Sequence, residues 1–232
     1  MSKPAAARAP APSLRERNKA KRRDAVLDAA LALLDDPRSG SLTTEQIAEG
    51  AQVSVATVYN LVGTREELLV ALLDRVVAEL VISIADAPID DDPVAVLRHL
   101  IDRSVDALTS RPTAYRAIVR QLTASESTGV HTKLSPAAAA GELLRQAQQR
   151  NVVLPDLDAD ALAMQIYLSY NGALLRWSVG ALSDTALRAA AHHGLLAVLA
   201  AAAAPRARTR LVDELRSVGA RLAPVRERSA SP

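Results

Sequence analysis

Ser54, Val55, Ala56, Thr57, Tyr59 and Asn60 form the one short segment whose residue types could do recognition chemistry. Ser54 can cap the N-terminus of a helix that runs through Val58. With Val58 turned inward, the other side chains face out. Short side chains at a helix start let that end enter a major groove closely. Thr and Tyr hydroxyls reach phosphates, and a helix N-terminus attracts them. Val55, Ala56 and the Thr57 methyl suit thymine methyl groups, and Asn60 can read a base edge. The plainer alternatives are a half-buried packing role for Tyr59 and simple solvation for Asn60.

Elements of fixed spacing must hold that segment. Thr43 is followed three residues later by Gln46, a capping-box pattern that opens a helix over about 44–50. The helix from Ser54 spans about 55–60, so the link between the two has only three or four residues. That is helix-turn-helix spacing. Ile47, Ala48, Val53, Val58 and Val62 supply a small core to clamp the second helix across the first. Upstream, from about Asn18, the apolar positions Val26, Leu27, Ala30, Leu31, Leu33 and Leu34 recur at three- and four-residue steps, and Pro37 and Gly40 end that helix. Downstream, Thr64 and Glu67 form another capping box and open a long helix, about 64–86.

Residues 42–69, LTTEQIAEGAQVSVATVYNLVGTREELL, resemble the DNA-binding segment of TetR-type transcriptional regulators. The resemblance begins at about Arg22, where RRDAVLDAALALL is similar to that family's first helix. Its matching pieces are Thr44, Ile47-Ala48, Val53-Ser54, Thr57-Val58-Tyr59 and Arg65-Glu66-x-Leu68. The family usually has Gly before Val53, where a left-handed backbone helps; here that position is Gln52, with Gly50 two residues earlier. Leu61-Val62 stands where the family has an aromatic pair. The resemblance implies that Arg65, poorly placed for a helix dipole, grips the DNA backbone. It also implies repression released by a ligand, although the residues themselves leave the sign open.

Charge distribution points the same way. Residues 1–23 hold eight cations (Lys3, Arg8, Arg15, Arg17, Lys19, Lys21, Arg22 and Arg23) against Glu16, a net of +7. The whole chain of 232 residues carries +2, so the remainder is mildly acidic at −5. Lys19, Lys21, Arg22 and Arg23 precede or open the first helix and could reach DNA backbone or an adjacent minor groove. The alternative is a solvated tail. With 49% hydrophobic residues a sizeable core is affordable, and with 2% aromatics it must be aliphatic. Cysteine is absent, which excludes disulfides, thiolate metal sites and a cysteine nucleophile. His192-His193 and His99 do not stand at metal spacing with acidic partners. HExxH, GxSxG and P-loop patterns are missing, so neither a catalytic constellation nor a cofactor is expected. Apolar runs are too short for a membrane span, and the basic N-terminus lacks a secretory apolar core. A cytoplasmic protein is expected.

Beyond about residue 88, helical patterns follow at about 93–109, 112–123, 136–150, 158–180, 184–204 and 206–222. The resemblance there is only in the helical plan. Val152-Val153-Leu154 is too short to count as a strand. Helix 158–180 is apolar nearly all round, and helix 184–204 carries Ala189, Ala190, Ala191 and Gly194, small enough for close helix approach. Together they suggest a two-fold four-helix interface using Ala190, Gly194, Leu195 and Val198, against the alternative of an ordinary intrachain core. Tyr115, Met164, Tyr167, Leu168, Asn171 and Leu175 are the candidate lining of a pocket for a small apolar ligand, with Gln165, Arg176 and Arg120 as further polar candidates. The expected plan is all-α: a disordered lead over 1–17, a helix-turn-helix domain over 18–66, a ligand-binding and dimerisation domain over 67–223, and a frayed tail over 224–232. The function expected is a homodimeric regulator on a palindromic DNA operator. The rival is an all-α enzyme or protein-interaction module with an incidental basic arm.

Overall fold

Ser13 opens the first helix earlier than hydrophobic periodicity indicates. Its side chain accepts from the Glu16 amide at 3.2 Å, and its own amide donates to the Glu16 carboxylate at 2.7 Å. The Ser13 hydroxyl and amide hold the Glu16 carboxyl below its ordinary value. In the computed structural model α1 therefore spans Leu14–Asp35, and the expected lead over 1–17 loses its last four residues to the helix. The structure describes residues 13–36, 38, 42–85, 92–124 and 135–222. The stretch 1–12, the helix stop at Pro37 and Gly40, the Pro88–Asp91 breaker, the Gly129 loop and the tail over 224–232 lie outside them.

The other helices are α2 (Thr44–Gly50), α3 (Val55–Val62), α4 (Arg65–Ala85), α5 (Pro93–Thr109), α6 (Pro112–Ala124), α7 (Pro136–Gln149), α8 (Ala159–Ser178), α9 (Asp184–Ala201) and α10 (Pro205–Ala220). Most start on an oxygen-bearing cap (Thr43, Ser54, Asp92, Ser135, Asp158, Ser183) that accepts from a first-turn amide. Proline at the first turn of α5, α7 and α10 fits because that amide has no helical partner. Among the described residues the sole β-type pairing is one antiparallel bridge, Val153 to Ala203. It ties the α7–α8 loop to the α9–α10 loop through Leu154 N–H to the Ala202 carbonyl and Ala204 N–H to the Val152 carbonyl, both 2.9 Å.

α1, α2 and α3 pack on one another as a small head. Val26, Leu27, Ala30, Ile47, Ala48, Val58 and Val62 form its core, joined by Leu68, Leu69 and Leu72 from α4. α4 then runs on to α5, so one continuous helix links head to body. In the body, α7, α8, α9 and α10 pack in chain order, with α5 against α7 and α9 and α6 between α1 and α8. The α1–α6 contact is a second head–body junction.

The link between α2 and α3 turns left-handed at Gln52, where the resemblance has glycine. Gln52 adopts φ +54°, and the turn closes with Gln52 N–H to the Glu49 carbonyl and Val53 N–H to the Ala48 carbonyl, the paired bonds of a Schellman motif. Holding a side-chain-bearing residue left-handed costs about 1–2 kcal/mol. Asparagine tolerates that conformation better. Gln52→Asn is therefore expected to raise stability by about 0.5–1 kcal/mol, read by chemical denaturation, with unchanged helix content.

Candidate nucleic-acid interface

α3 is built to present one face. Val58 and Val62 are buried, while Ser54, Ala56, Tyr59 and Asn60 are exposed and Val55 and Thr57 half-buried. Val53, expected in the core, is only partly buried against it, as is Leu61. The Ser54 hydroxyl accepts from the Thr57 amide at 3.1 Å and lies 2.8 Å from the Thr57 hydroxyl. Thr57 is thereby fixed at the first turn. Tyr59 stands 55% exposed. Its hydroxyl lies 3.5 Å from that of Thr44 on α2, which brings two candidate phosphate ligands to one edge. Lys19, Lys21 and Arg22 are exposed on α1, and Arg23 is half-buried.

Arg65 is exposed but engaged. Its Nε and Nη2 donate to Gln121 Oε1 on α6 at 3.2 and 2.9 Å, and its Nη1 reaches the Leu42 carbonyl at 3.4 Å. It thus links the segment before α2, the start of α4 and the body. Thr64 and Glu67 close the capping box at α4, and the Thr64 amide and hydroxyl hold the Glu67 carboxyl below its ordinary range.

In the body the candidate pocket residues do not gather. Met164, Leu168 and Leu175 are 48%, 55% and 44% exposed. They share one α8 face, because steps of four and seven residues return to the same side of a helix, and Val179, 61% exposed, follows just past the helix end. α8 packs inward through Ala163, Ile166, Ala173 and Trp177 instead. Tyr167 and Asn171 are half-buried, and the Asn171 amide donates to the Tyr167 carbonyl one turn back. Gln165, Arg176 and Arg120 are exposed. Tyr115 is buried and lines a separate cleft between head and body.

The candidate interface on α9 is also differently placed. Leu195 is buried in the chain's own core, and Ala190 and Val198 pack partly against it. Gly194 faces Ser169: a Cβ there would come within 2.1 Å of the Ser169 hydroxyl. Its small size serves the intrachain approach of α9 to α8.

Sequence patterning does not reveal a polar cluster where α5, α8 and α9 meet. Arg188 pairs with Asp102 and Asp106, and His192 Nε2 lies 2.8 Å from Asp102. His192 therefore does have an acidic partner, brought from ninety residues away. Among the described residues no group of three or more His, Asp or Glu could hold a metal ion. Partial burial works to raise the Asp102 carboxyl, but hydrogen bonds from His192 and Arg188 and their charges leave it below the usual range. Burial pushes the Tyr170 hydroxyl up to about 12, against a 2.5 Å hydrogen bond with Ser104 and the nearby Arg188 charge. The folded chain therefore holds this proton more tightly than the unfolded chain does. The corresponding stability is complete below the ordinary tyrosine value near 10 and is lost as pH climbs from about 10 toward 12. Tyr170→Phe is expected to flatten that part of the alkaline loss in urea titrations across this window.

No protein-family model and no curated protein matches the sequence. Solved structures do. The architecture, a helix-turn-helix head on a helical body, is the fold of TetR-family transcriptional regulators. FadR of Thermus thermophilus, a TetR-family repressor solved with lauroyl-CoA, superposes with a TM-score of 0.61 at 21% identity, over 76% of this chain and 93% of that one. SmeT, repressor of the Stenotrophomonas maltophilia multidrug efflux pump SmeDEF, gives 0.60 at 22%, over 79% and 91%. TylP, a regulator from Streptomyces fradiae, gives 0.54 at 23%, over 88% and 90%. At such identities the likeness is one of fold.

Proposed function

We propose that this chain is a DNA-binding transcriptional regulator that acts as a homodimer and responds to a small molecule. The observation that carries the reading is α3. Buried Val58 and Val62 clamp it in a helix-turn-helix, and its outer face offers Ser54, Val55, Ala56, Thr57, Tyr59 and Asn60 for a major groove. The solved neighbours with this fold are regulators rather than enzymes. One is bound to lauroyl-CoA, which supports a ligand with an apolar part. Release of repression by that ligand is the proposed direction, in the cytoplasm. Among the described residues no helix is long and apolar enough to cross a membrane.

The proposed dimer face is the exposed stripe Met164, Leu168 and Leu175 on α8, with Val179 just past its end. Exposed apolar side chains aligned on one helix face mark an association surface. A two-fold axis through it would pair α8 with its copy and set two α3 helices for half-sites about one DNA turn, or a multiple, apart.

Selection of bound fragments from a random DNA pool tests the reading. A recovered palindrome supports it, and retention without any sequence enrichment overturns it. On the selected fragment, Tyr59→Ala and Arg65→Ala are expected to weaken binding, and Arg65→Ala, which removes a cation, to reduce the slope of log K against log salt by about 0.9 for each phosphate that the side chain neutralises. Asn60→Ala should instead relax preference at one base position, worth about 1–3 kcal/mol for a bidentate contact.

A further inference from the structure

We propose that the cleft between head and body is a binding site for a small organic carboxylate, and that its occupancy loosens the head. This rests on the regulator reading only for its consequence on DNA. The cleft has a volume of about 520 Å³, within the range of small-molecule sites. Its walls come from α1, from α4, and from the end of α5, the turn after it and the start of α6. Leu31 and Ala107 give it short apolar sides, and the buried Tyr115 contributes an aromatic one.

Its charges are two guanidiniums and one carboxylate. Arg75 on α4 pairs with Asp28 on α1 at 2.6 Å, the ion pair that ties those helices across the cleft. Asp28 is largely open to water, with 68% of its side chain exposed. Arg111 is exposed, and among the described residues it makes no ion pair. The cleft thus already holds one carboxylate, supplied by the chain, and retains one cation in excess. A planar guanidinium fork matches a carboxylate through two parallel hydrogen bonds. An incoming carboxylate with a short apolar body meets Arg111, replaces Asp28 at Arg75 and lays its body on Leu31 and Ala107. Because guest and Asp28 compete for Arg75, binding favours the arrangement in which α1 is released from α4. α1 is the helix on which α2 and α3 rest, so the disturbance reaches the reading head.

The test uses the full chain in thermal-shift titrations with octanoate, benzoate, octanamide and inorganic phosphate. Octanoate and benzoate are expected to raise Tm saturably, and octanamide, lacking the charge, is not. Arg111→Ala should raise the half-saturating octanoate concentration roughly tenfold, the effect of one charge-assisted contact. Asp28→Asn removes the internal competitor and should lower it about two- to fivefold, as expected for an exposed ion pair. That tightening is the opposite of what general damage would give. Equal stabilisation by octanamide, an unchanged midpoint in Arg111→Ala, or no shift with either carboxylate overturns the site. A response to phosphate alone overturns the organic class. The thermal arm needs no DNA. If octanoate binds through Arg111 while the chain selects no DNA sequence, the regulator reading falls and the site stands. If both hold, octanoate should lower affinity for the selected fragment, and less so in Arg111→Ala.

Discussion

Replacing Trp177 by alanine is expected to lower stability by about 3–5 kcal/mol, among the largest losses a single truncation gives. Trp177 has no exposed surface and sits near the end of α8. Its Nε1 donates to Asp184 Oδ1 at 2.7 Å, in the first turn of α9. Arg116 of α6 lies 4.9 Å above the ring and donates to the same Asp184 oxygen at 2.9 Å. One side chain thus joins three helices by packing, a hydrogen bond and a cation–π contact. Truncation leaves a cavity and removes a donor from Asp184 and the ring from beneath Arg116. Domains are stable by only about 5–15 kcal/mol, so the variant should be close to its threshold. Tm should fall by roughly 6–20 °C, measured at fixed protomer concentration because the proposed dimerisation would also contribute. Trp177→Phe keeps most of the packing and should lose only about 1–2 kcal/mol for the missing N–H. A loss below about 1 kcal/mol for the alanine variant would contradict this account of the junction.

Local signals in the sequence suffice for the head. Thr43 with Gln46, Ser54 with Thr57 and Thr64 with Glu67 cap helices through residues three apart, so spacing alone reveals them. The same signal at Ser13 and Glu16 is equally local, but it lies ahead of any hydrophobic periodicity, which places those residues in the lead. The left-handed Gln52 is local too, yet its residue type does not announce it.

The body is legible in its helices and illegible in their facing. α8 reads as apolar all round, and its inward residues Ala163 and Ala173 are smaller than its outward Met164, Leu168 and Leu175. Side-chain size therefore points the wrong way. Gly194 signals close approach to a helix without saying whose; Ser169 of the same chain answers that. Arg65 with Gln121, Arg75 with Asp28 and His192 with Asp102 are separated by 56, 47 and 90 residues. No periodicity links residues so far apart, and those pairings define the head–body junction and the polar cluster.

The outward stripe on α8 leads to the second large effect. Leu168→Asp is expected to convert a dimer at micromolar concentration into a monomer in sedimentation velocity. Leu168 is 55% exposed in the single chain, so a carboxylate there is hydrated in the monomer and should leave monomer helicity and folding intact. In the proposed dimer that surface would be covered. An isologous interface repeats each substitution across the two-fold axis, so two carboxylates are buried near each other. An unpaired buried charge costs roughly 3 kcal/mol or more. Two together would shift the dissociation constant on the order of 10⁴-fold at 1.4 kcal/mol for each tenfold. Leu168→Ala removes apolar area without adding charge and should shift it far less. Operator affinity should fall with dimerisation, because a second reading head gains its advantage only while it is tethered to the first. Binding to a single half-site, and its dependence on Tyr59, should persist. A Leu168→Asp chain that remains dimeric would place the two-fold contact elsewhere than on this α8 face. A chain that loses half-site binding along with dimerisation would mean that α8 helps to hold the head in shape.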